Sequence, residues 1–598
     1  MLKIETNTCR EGCFVSKEKI FVGSLEELQK TGVKLVKGEN HGIAVFYHED
    51  EVFAVDNRCP HMGFPLHQGS LCDGILTCHW HHARFDVKSG GTLDPWADDV
   101  STYRTEIRDG EIWVEPVPRQ IRGVETHRMR LKEGLEQNIG LVIAKAVVAL
   151  MEAGEAPEAI ARIGVEFGTR HRAGGWRSGL TILTAMLNIL PRLDHRGQIL
   201  ALYQGLVHVA RESAGMGTRF LLEPLPGKET DFARLARWYR QSVEVRDIRG
   251  AERVLLTAIE AGADEQRLAD MMMAAVTDHF YMDTGHALDF HNKAFEILER
   301  IGPEHRPQVL TSLLPQLSGA QRSEELHNWQ SPVDLVTPLL EAFDRLKGIS
   351  FGEEENGMDE GALLELMLGE DPARTVQEMT DALEKGMSPV RLARLVALAA
   401  AKRIEGFHVQ NDFSDWITVL HTFTHAHAVH QSLDRSFSVE LLRGVYHGAM
   451  SVYLDRFLNI PRAKRPKGDP EAKDRPQNPD ELLTLLDRQQ QVAAAAQWVA
   501  TYLDRGGEKK SLFNVLGHAL LREDAEFHSF QMVEAAFSEH DCWAKEDSPL
   551  AREAQRTLLL AATRYLAAHA PTSRDLPHTA RIAWRLHRGE KLFEEENR

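Results

Sequence analysis

Apolar residues divide the chain into two regimes. Between Phe21 and Pro118 they recur with period two, punctuated by turn formers. Val33–Lys37, Gly42–Tyr47, Glu51–Val55, Phe85–Val87, Tyr103–Ile107 and Glu111–Glu115 are therefore predicted strands. Asp109-Gly110 is a hairpin signal between the last two, and Ser24 caps a short helix reaching Leu28. After Pro116-Val-Pro118 and a short basic linker the period becomes 3.6, from Thr126 onward. The predicted helices include Leu141–Ala153, Leu180–Leu190, Arg196–Glu212, Ala251–Ala261, Glu265–Phe280, His286–Ile301, Val333–Lys347, Arg391–Arg403, Leu441–Phe457, Pro479–Asp504 and Pro549–His569. The fold class expected is α+β multidomain: a small antiparallel β domain followed by a large all-α domain. The divisions expected are a leader over 1–18, the β domain over 19–118 and the helical body over 119–598. A boundary between two lobes of that body is placed, if anywhere, near 350–362. There Gly352–Gly361, with Glu353-Glu-Glu355, reads as a loop, as does Ile460–Asp480 with its Pro, Lys and Asp. No fixed-period repeat favours a solenoid.

Charge and cysteine usage narrow the class. A net charge of −18 argues against nucleic acid or an anionic membrane as partner. No N-terminal apolar run and no apolar stretch of about 18 residues stands in the chain, so neither a signal peptide nor a membrane span is expected. Six cysteines in 598 residues suit a reducing, cytoplasmic setting. Cys9 and Cys13 admit a redox or metal pair, the weaker of two readings of a leader segment.

The strongest chemical signal is Cys59-Pro60-His61, then sixteen residues, then Cys78-His79-Trp80-His81. Soft thiolates suit one iron of a binuclear cluster and neutral imidazoles suit the other. Gly63, Pro65 and Gly69 are the turn formers that a tight ligand loop needs. A zinc site is the competing reading of two Cys and two His. Zinc fingers of that kind group Cys with Cys and His with His, whereas each pair here is mixed. The stretch from Cys59 to Asp86 resembles Rieske ferredoxins and the N-terminal domains of Rieske oxygenases. That resemblance implies a Rieske-type [2Fe–2S] cluster on Cys59, His61, Cys78 and His81. High-potential Rieske proteins carry an extra cysteine in each loop, and Phe64 and Trp80 stand there in this chain. The resemblance thus points to a low-potential relay, nearer about −150 mV than +300 mV.

A relay on a large helical body implies an acceptor. Histidines gather around His208, between His279 and His291, between His421 and His430, and at Glu526-Phe-His528. His421 and His425, four apart, fall on one helix face and form a workable ligand pair, while His427 points roughly 140° away from them. Satisfied core histidines are the bland alternative for each one alone. Asp283-x-x-His286-x₄-His291 resembles the 2-His-1-carboxylate triad of Rieske oxygenase catalytic subunits. Those subunits follow it with a large sheet, whereas here helices follow.

Gly285-His286…His291-Asn-Lys-Ala-Phe-Glu296, Leu420-His421-Thr-Phe-Thr, Glu526-Phe-His528 and His208 resemble, in the same order, the histidine helices of questin oxidase-like proteins. This resemblance implies an all-α oxygenase with non-haem Fe(II) on His208, His286, His421 and His528, acting on an aromatic or polyketide-type compound. Gln531 replaces a family lysine, and Glu526, Asp283 or Glu534 could supply a carboxylate. His279, His291 and His425 complete the candidates. No dinucleotide-binding glycine motif, Walker loop or His-Glu-x-x-His is present, so an external ferredoxin or flavin reductase is expected to supply electrons. The remaining partners expected are O₂ and a small organic substrate, and a homo-oligomer would allow transfer between subunits. The alternative is an electron-transfer or redox-sensing module whose helical body is a partner scaffold.

Overall fold

The computed structural model describes residues 18–38, 41–119, 123–227, 229–351, 359–469, 478–590 and 592. The expected leader with Cys9 and Cys13, most of Gly352–Gly361 and the middle of Ile460–Asp480 lie outside the described residues. The chain forms two compact units, Met1–Glu133 with Arg581–Arg598, and Gly134–Ala580.

The first unit is built on antiparallel strands: β1 (Ile20–Ser24), β2 (Val33–Lys37), β3 (Gly42–His48), β4 (Glu51–Asp56), β5 (Ser70–Cys72), β6 (Ile75–Thr77), β7 (Arg84–Asp86), β8 (Thr102–Arg108) and β9 (Glu111–Pro118). One sheet runs β1-β9-β8-β4-β3-β2 and a second runs β5-β6-β7. Strand β3 explains its own unbroken apolar run. Ile43 and Val45 pack with Ile112 and Val114 on one face. Ala44 and Phe46 pack with Cys59, Leu76, Cys78 and Phe85 on the other. Ser24 accepts the Glu27 N–H and caps the helix Leu25–Thr31, as its position predicts. Strands β1, β5 and β6 escape prediction because three-residue strands show no period, and β1 is bulged at Gly23. Asp73-Gly74 and Asp109-Gly110 hold positive φ at both residues and close the β5–β6 and β8–β9 hairpins.

The second unit is helical, with no strand among its described residues. His286–Ile301 and Pro549–His569 have the predicted ends. Pro479–Asp504 is corrected: it is two helices, Asp480–Leu485 and Val492–Asp504. The polar Asp487-Arg-Gln-Gln-Gln491 between them offers no apolar face, and Gln490 turns left-handed at φ 62°. At the centre lies the helix Phe413–Arg435, in contact with Pro389–Glu405, Val439–Asp455, His286–Ile301 and Phe527–Trp543. Neighbours on several sides bury most of its circumference, which is why it shows little amphipathic contrast. Among the described residues no helix is long and apolar enough to cross a membrane.

Candidate functional site

In the first unit, Cys59 and Cys78 sit on two tips built alike. The Cys59 N–H donates to Phe64 O at 2.8 Å and Gly63 N–H to Cys59 O at 2.8 Å. In the second tip Cys78 N–H donates to Ala83 O at 2.8 Å and His82 N–H to Cys78 O at 3.0 Å. The residue four beyond each cysteine is left-handed, Gly63 at φ 86° and His82 at φ 62°. Glycine takes this conformation freely, and His82 adopts it under the hydrogen bonds that close its tip.

Both sulfurs are buried, at 2% and 1% exposure, and hydrogen-bond each other. That contact, with backbone N–H groups of Trp80 and His81, pulls the Cys78 thiol down to about 6. The same contact and burial push Cys59 up, against N–H groups from His61 and Met62. A paired thiol set with amide donors aimed at sulfur suits ligation of an iron–sulfur cluster. The His61 and His81 rings are 4.9 Å apart, with His81 exposed and its imidazole kept neutral by burial of its inner edge and by His82. Phe64 and Trp80, where a disulfide would stand in high-potential relatives, bring their rings to 6.4 Å. The described cysteines Cys59, Cys72, Cys78 and Cys542 are all free thiols. Four donors of the right kinds, two buried thiols with His61 half-buried and His81 exposed, fit a Rieske cluster.

In the helical unit three of the candidate histidines converge. Donor nitrogens of His286, His421 and His528 lie within 4.8 Å of one another. Each comes from a different helix, and all three are only partly buried, so the group reaches accessible space. His421 Nε2 and His528 Nε2 are 3.0 Å apart. Two nitrogens bound about 2.1 Å from one metal at a right angle stand about 3.0 Å apart. Burial and the neighbouring imidazoles hold His421 down at about 2, and burial and His528 hold His286 at about 4. Neutral imidazoles are the ligand form. His286 opens its helix and His528 is second in its own, so both side chains stand at helix N-termini. Behind His528, Glu526 takes Nδ1 at 2.8 Å, leaving Nε2 free to face the group.

The approach to His286 is strained. Tyr281, Asp283 and Thr284 have φ of 46°, 53° and 53°, followed by Gly285 at 94°. Such residues cost of the order of 1–3 kcal/mol each and gather at functional sites. Gly285 is required twice over, since a Cβ there would lie 2.9 Å from His425 Cβ.

The other candidates fall elsewhere. His425, expected to pair with His421, instead bonds Gly444 O at 3.0 Å, because a full turn along the helix brings it to the neighbouring Val439–Asp455. His291 bonds Ala287 O at 2.6 Å, and Asp283 sits in the strained turn, so the Asp283–His286–His291 triad is not assembled. His279 is held between Glu324 at 2.6 Å and Glu244 at 3.0 Å. His208 lies outside the group, edge-on to Phe530 at 5.5 Å, with Nε2 buried and unbonded.

A second acidic group escaped notice in the sequence. Glu296, His427 and Glu534 bring donor atoms within 4.8 Å. Lys293 Nζ bonds Glu296 at 2.9 Å and Glu534 at 2.8 Å, so an ammonium already supplies the cation there. The available signal was polar residues at core spacing: His286, Asp289, Lys293 and Glu296 recur every three or four positions.

A model of the Rieske [2Fe-2S] domain matches residues 18–104. The ferredoxin subunit of 3-phenylpropionate/cinnamic acid dioxygenase from Photorhabdus laumondii is 35% identical over 98 residues, 16% of this chain and 92% of that protein. The ferredoxin component of the naphthalene 1,2-dioxygenase/salicylate 5-hydroxylase systems of a Ralstonia species is 30% identical over 15% of this chain and 88% of its own length. Human apoptosis-inducing factor 3 is 31% identical over 16% of this chain and 15% of its own. With that match falling on the paired tips just described, the chain belongs to the Rieske [2Fe–2S] family through its N-terminal electron-transfer module.

Proposed function

We infer that this protein is an oxidoreductase in which the Rieske module feeds a metal centre on the helical unit. Cys59, His61, Cys78 and His81 would hold the cluster, and His286, His421 and His528 would hold a non-haem Fe(II). When bound, the cluster supplies one-electron transfer and the iron supplies a position at which O₂ can be reduced against an organic substrate. The observation that carries this reading is the convergence of three imidazoles, from helices far apart in sequence, at a group that is not sealed from solvent, with His286 and His421 held neutral by burial. Glu526 fixes the His528 tautomer by accepting a hydrogen bond from Nδ1–H, so Nε2 offers a lone pair inward. Phe290 and Phe527 flank His286, at 5.3 and 5.7 Å between rings, and exclude water from that side. An external ferredoxin or flavin reductase would reduce the module at the exposed His81 edge.

A relay without a second metal is favoured by one observation: 3.0 Å is also the length of an N–H···N hydrogen bond, by which His421 and His528 can satisfy each other. Iron and sulfide analysis of the full-length protein separates the two. A third iron per chain, lost in His421→Ala while sulfide is retained, supports the centre. Two irons per chain in both proteins refutes it.

A further inference from the structure

The three helices that carry the histidines also carry a buried ionic seam leading away from them. On the His286 helix stand Asp289 and Lys293, on the His421 helix His427 and His430, and on the His528 helix Gln531, Glu534 and Glu539. All of these side chains are 3% exposed or less. From Lys293 the contacts run to Glu534 at 2.8 Å, His427 at 3.6 Å, Glu539 at 2.7 Å and His430 at 2.8 Å. Buried ionic groups rarely stabilise more than apolar packing would, so stability alone does not account for such a seam.

Asp289 is the member without a cation bonded to it. Its hydrogen bond comes from the Gln531 amide, while the Lys293 ammonium is committed to Glu296 and Glu534. Burial raises its carboxyl to about 7, with Lys293 and His427 lowering it and Glu534 raising it. Asp289 therefore stands near the midpoint of its titration at neutral pH. It follows His286 by three residues, hence on the same helix face one turn inward. In so dry a place, a unit change of charge at the histidines is felt strongly.

We propose that Asp289 is a redox-linked proton acceptor for the histidine centre: when a metal held there gains one electron, one proton from water joins the Asp289 carboxylate. The electron goes to the metal, an O–H bond forms on Asp289, and the net charge of the interior is unchanged. This proposal rests on the metal reading of His286, His421 and His528.

The test is an EPR-monitored redox titration of full-length, iron-loaded protein between about pH 6 and pH 8. The ferric signal of the histidine centre is followed apart from the reduced-cluster signal. One proton per electron lowers the midpoint by about 59 mV for each tenfold fall in proton activity. The wild-type protein is expected to show that slope, and Asp289→Asn, which keeps the shape, a flat line. A ferric signal with a flat wild-type slope overturns the proposal without any variant. An unchanged slope in Asp289→Asn overturns it as well, while leaving the metal reading intact. A ferric signal that is absent, or that survives in His421→Ala, refutes the metal reading itself and this proposal with it.

Discussion

Glu526 serves His528 in two ways, and two substitutions separate them. Its carboxylate accepts His528 Nδ1 at 2.8 Å and also caps the helix by accepting the His528 N–H at 2.8 Å. Ser529 Oγ donates to it at 2.8 Å and Tyr565 OH at 3.4 Å. Glu526→Gln keeps a carbonyl oxygen for the cap and removes the charge that makes His528 a better ligand. Loss of such a supporting carboxylate weakens metal binding about 10- to 100-fold, or about 1.4–2.7 kcal/mol. Glu526→Ala loses the same support and also the cap, which costs about 1 kcal/mol of stability. Chelator competition with Co(II) as reporter measures the first effect, and urea unfolding followed by helical circular dichroism measures the second. The expected pattern is weakened binding in both variants and lowered stability chiefly in the alanine. If Glu526→Gln binds Co(II) as tightly as wild type while His421→Ala does not bind, the orienting role assigned to Glu526 is wrong.

Three further outcomes are expected. Cys78→Ser should abolish the visible and EPR signals of the reduced cluster and leave the helical circular dichroism unchanged; a retained signal contradicts the ligand assignment. Lys293→Met leaves Glu296 and Glu534 without their ammonium and should cost about 3–5 kcal/mol in urea unfolding, and adding Glu534→Leu should recover part of it. Metal-free protein should lose stability on acidification. His286 and His421 titrate near about 4 and about 2, below the unfolded value of about 6.5, so the unfolded chain takes up protons first. Their contribution is complete above about pH 6.5 and falls away toward about pH 4, which unfolding curves at a series of pH values would show; a flat profile over that range contradicts it.

The proposed Rieske ligands are legible in the sequence because Cys59-x-His61 and Cys78-x-x-His81 are local patterns, each closed on a short tip. Strands β5 and β6, three residues each, are too short to show a period. In the helical unit periodicity tells which face of one helix is polar, not which faces of different helices meet. His421 and His425 share a face, yet one meets His528 and the other Gly444. The convergence of His286, His421 and His528 was reachable only through family resemblance, which also named His208, left outside by the packing. The Asp289–Lys293–Glu296 stripe was in plain view, but its partners Glu534 and Glu539 lie far along the chain and carry no mark that pairs them with it.

The two candidate ligand sets draw on very different lengths of polypeptide. The four candidate ligands of the front set lie between residues 59 and 81, whereas the three histidines of the rear set are spread over residues 286 to 528. On a ribosome adding about 5–20 residues per second, the interval between these completions is tens of seconds. The front ligand set is thus synthesised long before the rear one, yet the unit that holds it is complete only when the segment from Arg581 joins it, so the last residues made finish the first domain.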